Sequence, residues 1–237
     1  RGVYAWVPTL TSVSRQALFS GELPFHFADS IHSTHKEASL WQLFWEQQEV
    51  PKLRISFEKG LGQGSYQAEG VEAVINPSIK VAGLVIDTID RLMHGAIQGY
   101  KGLLAEMEVW LQTGYLEQLI QDLVVQGFDV YLTADHGNTA STGIGRPNEG
   151  VLAETRGERV RIYRDQKLRD QAALEYSSIC WPQIALPQDW FVLLAKSGEA
   201  FVRNGEQVIS HGGITMAEVI VPFVQIRPKP DVSEVLA

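Results

Sequence analysis

The chain has 237 residues, of which 45% are hydrophobic and 20% charged, and 28 acidic residues against 20 basic ones give it a net charge of −8. This length suits a single domain with a sizeable core, and the composition excludes an intrinsically disordered chain. The densest basic stretch contains Arg156, Arg159, Arg161 and Arg164 beside a predicted strand, and we expect it to be a solvated face. The charge pattern therefore excludes a broad basic surface of the kind that holds nucleic acid electrostatically.

The sequence also restricts the compartment in which the chain resides. No apolar run reaches the roughly 18 residues needed to span a bilayer, and no secretory signal is visible. The single Cys180 excludes an internal disulfide framework and favours a reducing compartment. We therefore expect a cytoplasmic protein without membrane contact. The chain starts at Arg1 and is apolar by Val3, which is typical of a fragment of a longer polypeptide.

The first third of the chain predicts alternating strands and helices. Residues 3–7 form a short predicted strand, and residues 11–19 form the helix that follows it. Thr34 and Glu37 make a predicted capping box ahead of an apolar helical stripe. Residues 53–57 predict the next strand, and a glycine-rich loop follows over residues 60–64. No Gly-Lys-Ser/Thr sequence accompanies those glycines, so we interpret the segment as a loop without a nucleotide site.

The rest of the chain continues the alternation with shorter elements. The uncharged run 81–86 predicts a buried strand, and a long helical region follows it, is broken near Gly114 and ends at Gly127. Further strands are predicted at residues 128–133, 160–163, 190–196, 200–203 and 221–226, with a helical turn at 216–220. This pattern is typical of a three-layer α/β/α sandwich with a mostly parallel central sheet, and we expect residues 1–237 to form one such domain.

A carboxylate and an imidazole follow directly where the predicted strand 128–133 stops. In open α/β sheets, functional side chains collect at the carboxyl ends of strands. Asp135 and His136 stand in this position, in the sequence Asp-His-Gly, and both are natural metal ligands. The pair by itself is also compatible with an ordinary turn. Its functional interpretation therefore depends on other segments that would complete the site.

Three other segments carry residues of matching chemistry. Asp90 and His94 follow the strand 81–86, and a helix there would place both side chains on one face, close enough to hold one ion. His211 stands in Ser-His-Gly-Gly, where glycines let the backbone pass close to a packed site. Thr11 begins a predicted helix whose free N–H groups and dipole favour a phosphate.

Each of these residues also has a purely structural interpretation. Asp90 is able to cap its own helix, Thr11 or Ser12 is able to serve as an N-cap, and a histidine is often hydrogen-bonded scaffolding. Their joint placement after strands in an α/β pattern favours a common site. A Ser-His-Asp hydrolase is not favoured, because the sequence contains no Gly-x-Ser-x-Gly turn.

These motifs carry a resemblance to a known superfamily. Pro8-Thr9-Leu10-Thr11, followed by Ser20-Gly21, resembles the nucleophile segment of the alkaline phosphatase superfamily, and the later motifs stand in the matching order. Within that superfamily, residues 8–21 and the segment His211-Gly-Gly-Ile-Thr-Met-Ala-Glu218 are most similar to PglZ domains of BREX-type phage-defence systems. The resemblance spans nearly the whole chain, although residues 22 to 80 carry no matching motif.

The resemblance implies a two-metal phosphoester hydrolase of alkaline-phosphatase-like fold. One ion would be held by Asp90, His94 and His211, and the other by Asp135, His136 and Thr11. Thr11 would attack phosphorus and form a phosphothreonine that is then hydrolysed, while Ser14 or Arg15 would contact phosphate oxygens. Zn²⁺ suits the mixed ligands, and Mn²⁺ is the alternative. The implied partners are a phosphoester, with nucleic acid among the candidates, and other phage-defence proteins.

One departure from the superfamily pattern leaves alternatives open. The superfamily has a further ligand Asp at the end of its first strand, but none of the ten residues before Thr11 is acidic. The chain is therefore expected to lack that strand, and the second metal site is expected to be weak. An inactive scaffold within a multi-protein defence complex is the main alternative. A phosphomutase is a further alternative. The sequence also leaves open which hydroxyl, that of Thr9, Thr11 or Ser12, would be the nucleophile of an active enzyme.

Overall fold

The computed structural model describes residues 1–72, 74, 76–95, 99–148 and 157–228, and the backbone alone at 69, 70, 94 and 95. The α-helices are α1 (Thr11–Ser20), α2 (Glu37–Gln47), α3 (Thr88–Gly95), α4 (Gly99–Gln112), α5 (Tyr115–Val125), α6 (Gln166–Glu175) and α7 (Met216–Val219). The strands are β1 (Gly2–Tyr4), β2 (Ile55–Leu61), β3 (Val81–Ile86), β4 (Val130–Thr133), β5 (Thr139–Gly143), β6 (Val160–Tyr163), β7 (Ile179–Cys180), β8 (Phe191–Leu194), β9 (Glu199–Ala200), β10 (Gln207–Ser210) and β11 (Ile220–Ile226). Within the described ranges, no helix is long and apolar enough to cross a membrane.

The strands form four small ladders. Their orders are β1-β11-β4, β10-β5-β9, β2-β3 and β6-β8-β7. Two of the recorded strand pairs are parallel, β2 with β3 and β5 with β9, whereas β11 runs antiparallel to both of its neighbours. The mixed α/β class agrees with the prediction, whereas the pairing of the described strands matches the expected mostly parallel sheet only in part. An apolar run predicts that a strand is buried, and it does not encode the direction of the neighbouring strand.

The predicted capping box of α2 is also wrong. The N-cap of α2 is Lys36, and no side-chain cap hydrogen bond is formed there. Glu37 is fully buried and pairs with Arg15 instead. A carboxylate in the first helical turn satisfies the capping pattern in sequence, but here the tertiary ion pair determines its position.

The basic stretch near residue 160 is not a solvated face. Arg159 is fully buried and Arg161 nearly so, while Arg164 is exposed and Arg156 lies outside the described residues. The Arg161 guanidinium donates to the carbonyls of Val160 (2.8 Å) and Phe201 (2.7 Å). Backbone acceptors thus compensate the burial of this charge, which an apolar environment alone would penalise.

The main hydrophobic core joins α1 to the β6-β8 ladder. Its members are fully or nearly fully buried and come from both ends of the chain: Leu10, Val13, Phe27, Ile31, Val160, Ile162, Leu186, Trp190, Val192 and Leu194. The helix that begins at Thr11 is therefore anchored against the second half of the chain through its first turn. This packing determines the position of Thr11 relative to the loops that follow β4 and β10.

We expect this core to be sensitive to the loss of single side chains. Leu194→Ala should lower the free energy of unfolding by about 2–5 kcal/mol, because it opens a cavity among fully buried neighbours. Leu174→Ala is the matched control, since that leucine is 87% exposed and its loss should change stability by about 0.5 kcal/mol or less. Urea unfolding of both variants measures the difference, and equal losses would contradict the core assignment.

Candidate active site

The Asp-His-Gly turn lies directly at the carboxyl end of β4, as the sequence predicts. The backbone N–H of Gly137 donates to the carbonyl of Glu218 (2.9 Å), which ties the turn to α7. A Cβ atom at position 137 would collide with the carbonyl oxygen of Ala217. Only glycine therefore allows this approach, and it holds the neighbouring His136 in place.

Three predicted site residues meet around the imidazole of His136. The hydroxyl oxygen of Thr11 lies 3.0 Å from Nε2 of His136, across 125 residues of chain. A carboxylate oxygen of Asp135 lies 3.6 Å from the same nitrogen. His136 is nearly buried, whereas Asp135 keeps 21% of its side chain exposed. Thr11, Asp135 and His136 thus form one constellation.

The other ring nitrogen of His136 determines the tautomer. Nδ1 lies 3.1 Å from the carbonyl oxygen of Gly137. A carbonyl accepts hydrogen bonds only, so we assign the proton of the neutral ring to Nδ1. Nε2 then carries the lone pair and accepts the hydrogen bond from the Thr11 hydroxyl. The same lone pair is the one a metal ion would use.

His211 adjoins this constellation from the loop after β10. Its ring stacks on that of His136, with centroids 4.2 Å apart and an interplanar angle of 23°. Nδ1 of His211 lies 2.9 Å from the carbonyl of Thr9, so the neutral ring again carries its lone pair on Nε2. The Thr9 hydroxyl accepts from the N–H of Gly212 (3.0 Å) and donates to the carbonyl of Gly213 (3.0 Å). These bonds attach the His211 loop to the segment that carries Thr11.

Asp90 and His94 lie on α3, which follows β3 directly. The predicted helix is confirmed, so residues four apart share one face of it. Asp90 is half-buried in the first turn, and the side chain of His94 lies outside the described residues. Met93 of α3 belongs to the same buried cluster as Ile209, two residues before His211. This cluster, which also includes Leu103 of α4, connects α3 to the strand that leads to His211.

The two predicted phosphate contacts are engaged within the protein. The Ser14 hydroxyl donates to the carbonyl of Trp6 (3.3 Å) and is nearly buried. The Arg15 guanidinium donates to Glu37 (2.7 Å) and, more weakly, to Asp87 (3.4 Å), with 13% of its side chain exposed. Arg15 is thus not a surface helix residue. For either residue to bind phosphate, the ligand would have to replace or share these contacts, and their substrate role stays a prediction.

The charges around Arg15 are coupled to the site. Burial acts to lower the pKa of Arg15, but the hydrogen bond and charge of Glu37, with the charges of Asp135 and Asp87, raise it overall. Burial raises the pKa of the Glu37 carboxyl despite Arg15 and Lys59, and the negative charge of Asp135 adds to this rise. Arg15 and the more distant Lys59 therefore face three carboxylates, and a cation would relieve the remaining excess of negative charge.

Glu37 and Asp87 are the site residues that sequence reasoning missed. Asp87 directly follows β3, so the rule that selected Asp135 at the end of β4 also applies to it. Glu37 offered no such signal, because its partner Arg15 is 22 residues away and its position suits a helix cap.

The donor atoms present fit a divalent ion at the Asp135–His136 end of the site. Ligand atoms about 2.0–2.2 Å from one tetrahedral Zn²⁺ lie roughly 3.3–3.6 Å apart. The 3.6 Å separation from Nε2 of His136 to Asp135 agrees with this range, and the 3.0 Å separation to Thr11 is slightly shorter than it. Within the described part of the chain, no group of three or more His, Cys, Asp or Glu side chains is placed to hold a metal. The hydroxyl of Thr11 is accordingly needed to complete this donor set.

Comparison with known proteins identifies the family. The profile described as the BREX system PglZ alkaline phosphatase-like domain matches residues 1–226. The chain belongs to the PglZ family. The resemblance carried by the motifs is thereby confirmed. No curated protein matches the sequence significantly.

Solved structures similar to this PglZ domain confirm its fold class. Human ectonucleotide pyrophosphatase/phosphodiesterase 5 has 13% identity and a TM-score of 0.58, with 96% of this chain and 80% of that one covered. The murine protein has 14% identity and a TM-score of 0.58, with 96% and 79% covered. Phosphonoacetate hydrolase from Sinorhizobium meliloti 1021 has 12% identity and a TM-score of 0.46, with 98% and 82% covered. The two ectonucleotide phosphodiesterase structures show that the chain has an alkaline-phosphatase-like α/β fold.

We expect the buried Arg15–Glu37 pair of the PglZ domain to be far more important for stability than an exposed ion pair. Arg15→Met should cost about 3–5 kcal/mol at neutral pH, because it leaves the fully buried Glu37 without its main partner. Arg164→Met, which breaks an exposed pair with Asp189, should cost about 1 kcal/mol or less. Denaturant unfolding of the two variants measures both losses.

The pH dependence of the Arg15→Met variant provides the check. Without Arg15, the pKa of Glu37 should rise further above its ordinary value, and protonation then favours the folded state. The deficit should therefore be largest above this raised pKa and shrink as the pH falls through it. A deficit that stays constant with pH would show that the loss comes from packing rather than from the unpaired carboxylate.

Proposed function

We propose that this PglZ domain is a metal-dependent phosphoester hydrolase with Thr11 as its nucleophile. The observation that carries the proposal is the 3.0 Å contact between the Thr11 hydroxyl and the lone-pair nitrogen of His136. A hydroxyl is a weak nucleophile at neutral pH and needs a base or a metal to remove its proton. His136 is placed to accept that proton, or to bind a metal that lowers the pKa of the hydroxyl.

Thr11 is a better nucleophile candidate than its neighbours. The Thr9 hydroxyl is fully buried and bonded to the backbone of Gly212 and Gly213, so it holds a loop. Ser12 is nearly buried within the first turn of α1. Thr11 is more exposed than either, and its hydroxyl contacts the predicted ligand His136.

The start of α1 suits a phosphoryl group. Thr11 is the first residue of a ten-residue helix with no acidic residue in its first turn. The N–H groups at a helix N-terminus point toward an incoming anion, and the helix dipole favours negative charge there. A phosphoester bound at this end would bring its phosphorus close to the Thr11 hydroxyl.

Two sets of residues would hold the ions. Asp135, His136 and Thr11 form one set, and Asp90, His94 and His211 form the other. The stacking of His136 on His211 supports adjacent sets, as does the buried cluster that Met93 of α3 shares with Ile209 of β10. Two divalent ions, Zn²⁺ or alternatively Mn²⁺, would supply charge stabilisation of the attacking and leaving oxygens. The chain's own residues would orient the nucleophile and present the helix N-terminus to phosphate, while the lone pair of His136 Nε2 would be used by the ion.

The substrate is proposed to be a phosphoester, and nucleic acid is one candidate. The similar human and murine proteins are named as ectonucleotide pyrophosphatase/phosphodiesterases, which supports a phosphodiester as one candidate substrate. Membership of the BREX PglZ family suggests a cytoplasmic role in phage defence beside other proteins of such a system.

An interaction role is the second candidate function. Tyr100, Leu104 and Leu111 are each about half exposed, and they lie on one face of α4 because their positions differ by about a whole number of turns. Exposed apolar side chains on one face are typical of a surface that binds another protein. Such a scaffold would not need hydrolysis, so activity measurements separate the two proposals.

We expect Thr11→Ala to reduce hydrolysis of an aryl phosphate diester by about 10³-fold or more, because the nucleophile is lost. Thr11→Ser should retain a measurable part of the rate, since it keeps the hydroxyl. Initial rates with added Zn²⁺ or Mn²⁺, on the diester and on the matching monoester, measure the effect and the preferred ester class.

Thr133→Val is the control for this experiment. Its hydroxyl donates to the carbonyl of Pro222 in the neighbouring strand and takes no part in the proposed chemistry. This variant should hydrolyse at the rate of the unmodified domain. If Thr11→Ala and Thr133→Val retain the same rate, Thr11 is not the nucleophile. If the unmodified domain binds neither metal and hydrolyses neither ester, the interaction role is favoured.

A further inference from the structure

A buried carboxylate connects the two loops that carry predicted metal ligands. These are the Asp-His-Gly loop, residues 135–137, and the His211 loop, residues 211–213. The side chain of Glu218 accepts the backbone N–H of Gly213 at 2.7 Å, and the main-chain carbonyl of Glu218 accepts the N–H of Gly137 at 2.9 Å. One residue of α7 thus bonds to both loops.

Glu218 has defined partners for both of its carboxylate oxygens. Oε1 accepts from Gly213 and from Nε of Arg159 at 2.8 Å. Oε2 accepts from the N–H and the hydroxyl of Thr215, at 2.9 Å and 2.7 Å. Both charged side chains are fully buried. A carboxylate with this many donors has little freedom to rotate, so the Gly213 peptide that it binds is held in one orientation.

Arg159 extends the same network to the other side of the His211 loop. Its backbone N–H donates to the carbonyl of His211 at 3.2 Å. Its guanidinium also bonds to Ser141 at 3.1 Å and to the carbonyls of Lys196 and Glu199. The guanidinium packs so closely under the loop that a Cβ at Gly213 would lie 2.8 Å from Nη2.

We propose that Arg159 and Glu218 are positioning residues for the metal centre. They fix the His211 and Asp-His-Gly loops relative to each other, so that the two stacked imidazoles present their lone-pair nitrogens in place. Neither residue touches the substrate. The inference about metal affinity rests on the proposed function, whereas the inference about ring geometry concerns the protein alone.

Stability and positioning make different predictions for this pair. A buried ion pair replaced by apolar side chains of similar volume is often as stable as the original. The backbone bond from Arg159 to the carbonyl of His211 survives these substitutions, but an apolar side chain cannot replace the bond that the Glu218 carboxylate accepts from the N–H of Gly213. Removing both charges should therefore recover stability without recovering the geometry of the loops.

The test compares three variants of the whole domain with the unmodified protein. Arg159→Met breaks the pair, Arg159→Met/Glu218→Leu removes both charges, and Arg161→Met is the matched control. Arg161 lies two residues further along the chain, in β6, and is nearly buried, but it bonds to the carbonyls of Val160 and Phe201, outside the two loops. Zn²⁺ affinity is measured by competition with a chromophoric chelator, and folding by the thermal midpoint.

We expect Arg159→Met to weaken Zn²⁺ binding by about 10–100-fold, the range typical of residues that support metal ligands. The double variant should melt closer to the unmodified protein yet bind Zn²⁺ no better than Arg159→Met. Arg161→Met should lower the midpoint while keeping Zn²⁺ affinity within about threefold. If the double variant recovers both stability and affinity, or Arg161→Met loses affinity equally, the pair is only structural and the proposal fails.

The metal-free proteins give an independent readout. Long-range ¹⁵N–¹H spectra report which ring nitrogen carries the proton in His136 and His211. Both rings should be protonated at Nδ1 in the unmodified protein and in Arg161→Met, and should lose this pattern in the double variant. If the unmodified protein binds no Zn²⁺, the proposed function fails, and these spectra alone decide the positioning role. Unchanged spectra in the folded double variant would overturn it.

Discussion

The buried ion pair between Arg159 and Glu218 is the interaction on which the site depends most. Burying two charges is costly unless each finds partners with good geometry. Here the partners are mainly backbone groups from separate segments, including the Gly213 N–H and the carbonyls of Lys196 and Glu199. The cost of burial is offset only when these segments lie together. The pair therefore selects one arrangement of the loops, whatever its net contribution to stability.

The second constraint is electrostatic and lies on the other side of Thr11. Arg15 follows Thr11 by one helical turn and pairs with Glu37 and Asp87, and Asp135 also acts on its charge. The guanidinium thus partly neutralises three carboxylates near the proposed nucleophile. A site so acidic would repel a phosphoester in the absence of cations. Bound divalent ions would change the sign of this field, and the charge distribution is consistent with such ions being part of the working site.

The sequence predicted the elements that have clear apolar patterns. The run at β3 and the helix α1 were located within one residue of their ends, because an uncharged stretch and a helical apolar period are local signals. In contrast, α6 was missed, since its sequence is largely polar and its buried face includes Arg169. The strand β5, Thr-Ala-Ser-Thr-Gly, was missed because it has no large apolar side chain, although its pairing with β10 and β9 holds it in a ladder.

The residues of the candidate site likewise fall into those that local sequence predicts and those that it does not. Asp135, His136 and Thr11 were identifiable because each stands at the end of a strand or the start of a helix, where functional groups collect. Glu37 and Arg159 were not identifiable as site residues, because their roles depend on ion pairs with partners 22 and 59 residues away in the chain. A charged residue without an evident partner in the sequence is usually exposed to solvent, so the sequence predicts a solvated Arg159, whereas the side chain is buried. Tertiary structure alone shows that its charge is buried and paired.

The segment Pro8–Thr11 shows how a short sequence can set the spacing of both halves of the site. Leu10 has extended backbone angles, φ −101° and ψ 139°, so the side chains of Thr9 and Thr11 point to the same side and that of Leu10 to the other. Leu10 is fully buried in the main core, while Thr9 bonds to the His211 loop and Thr11 contacts His136. The Thr9 hydroxyl therefore contacts the His211 loop and the Thr11 hydroxyl contacts the imidazole of His136, while the imidazole of His211 contacts the main-chain carbonyl of Thr9. The core holds Leu10 in place, and the threonines on either side of it join the His211 loop to His136.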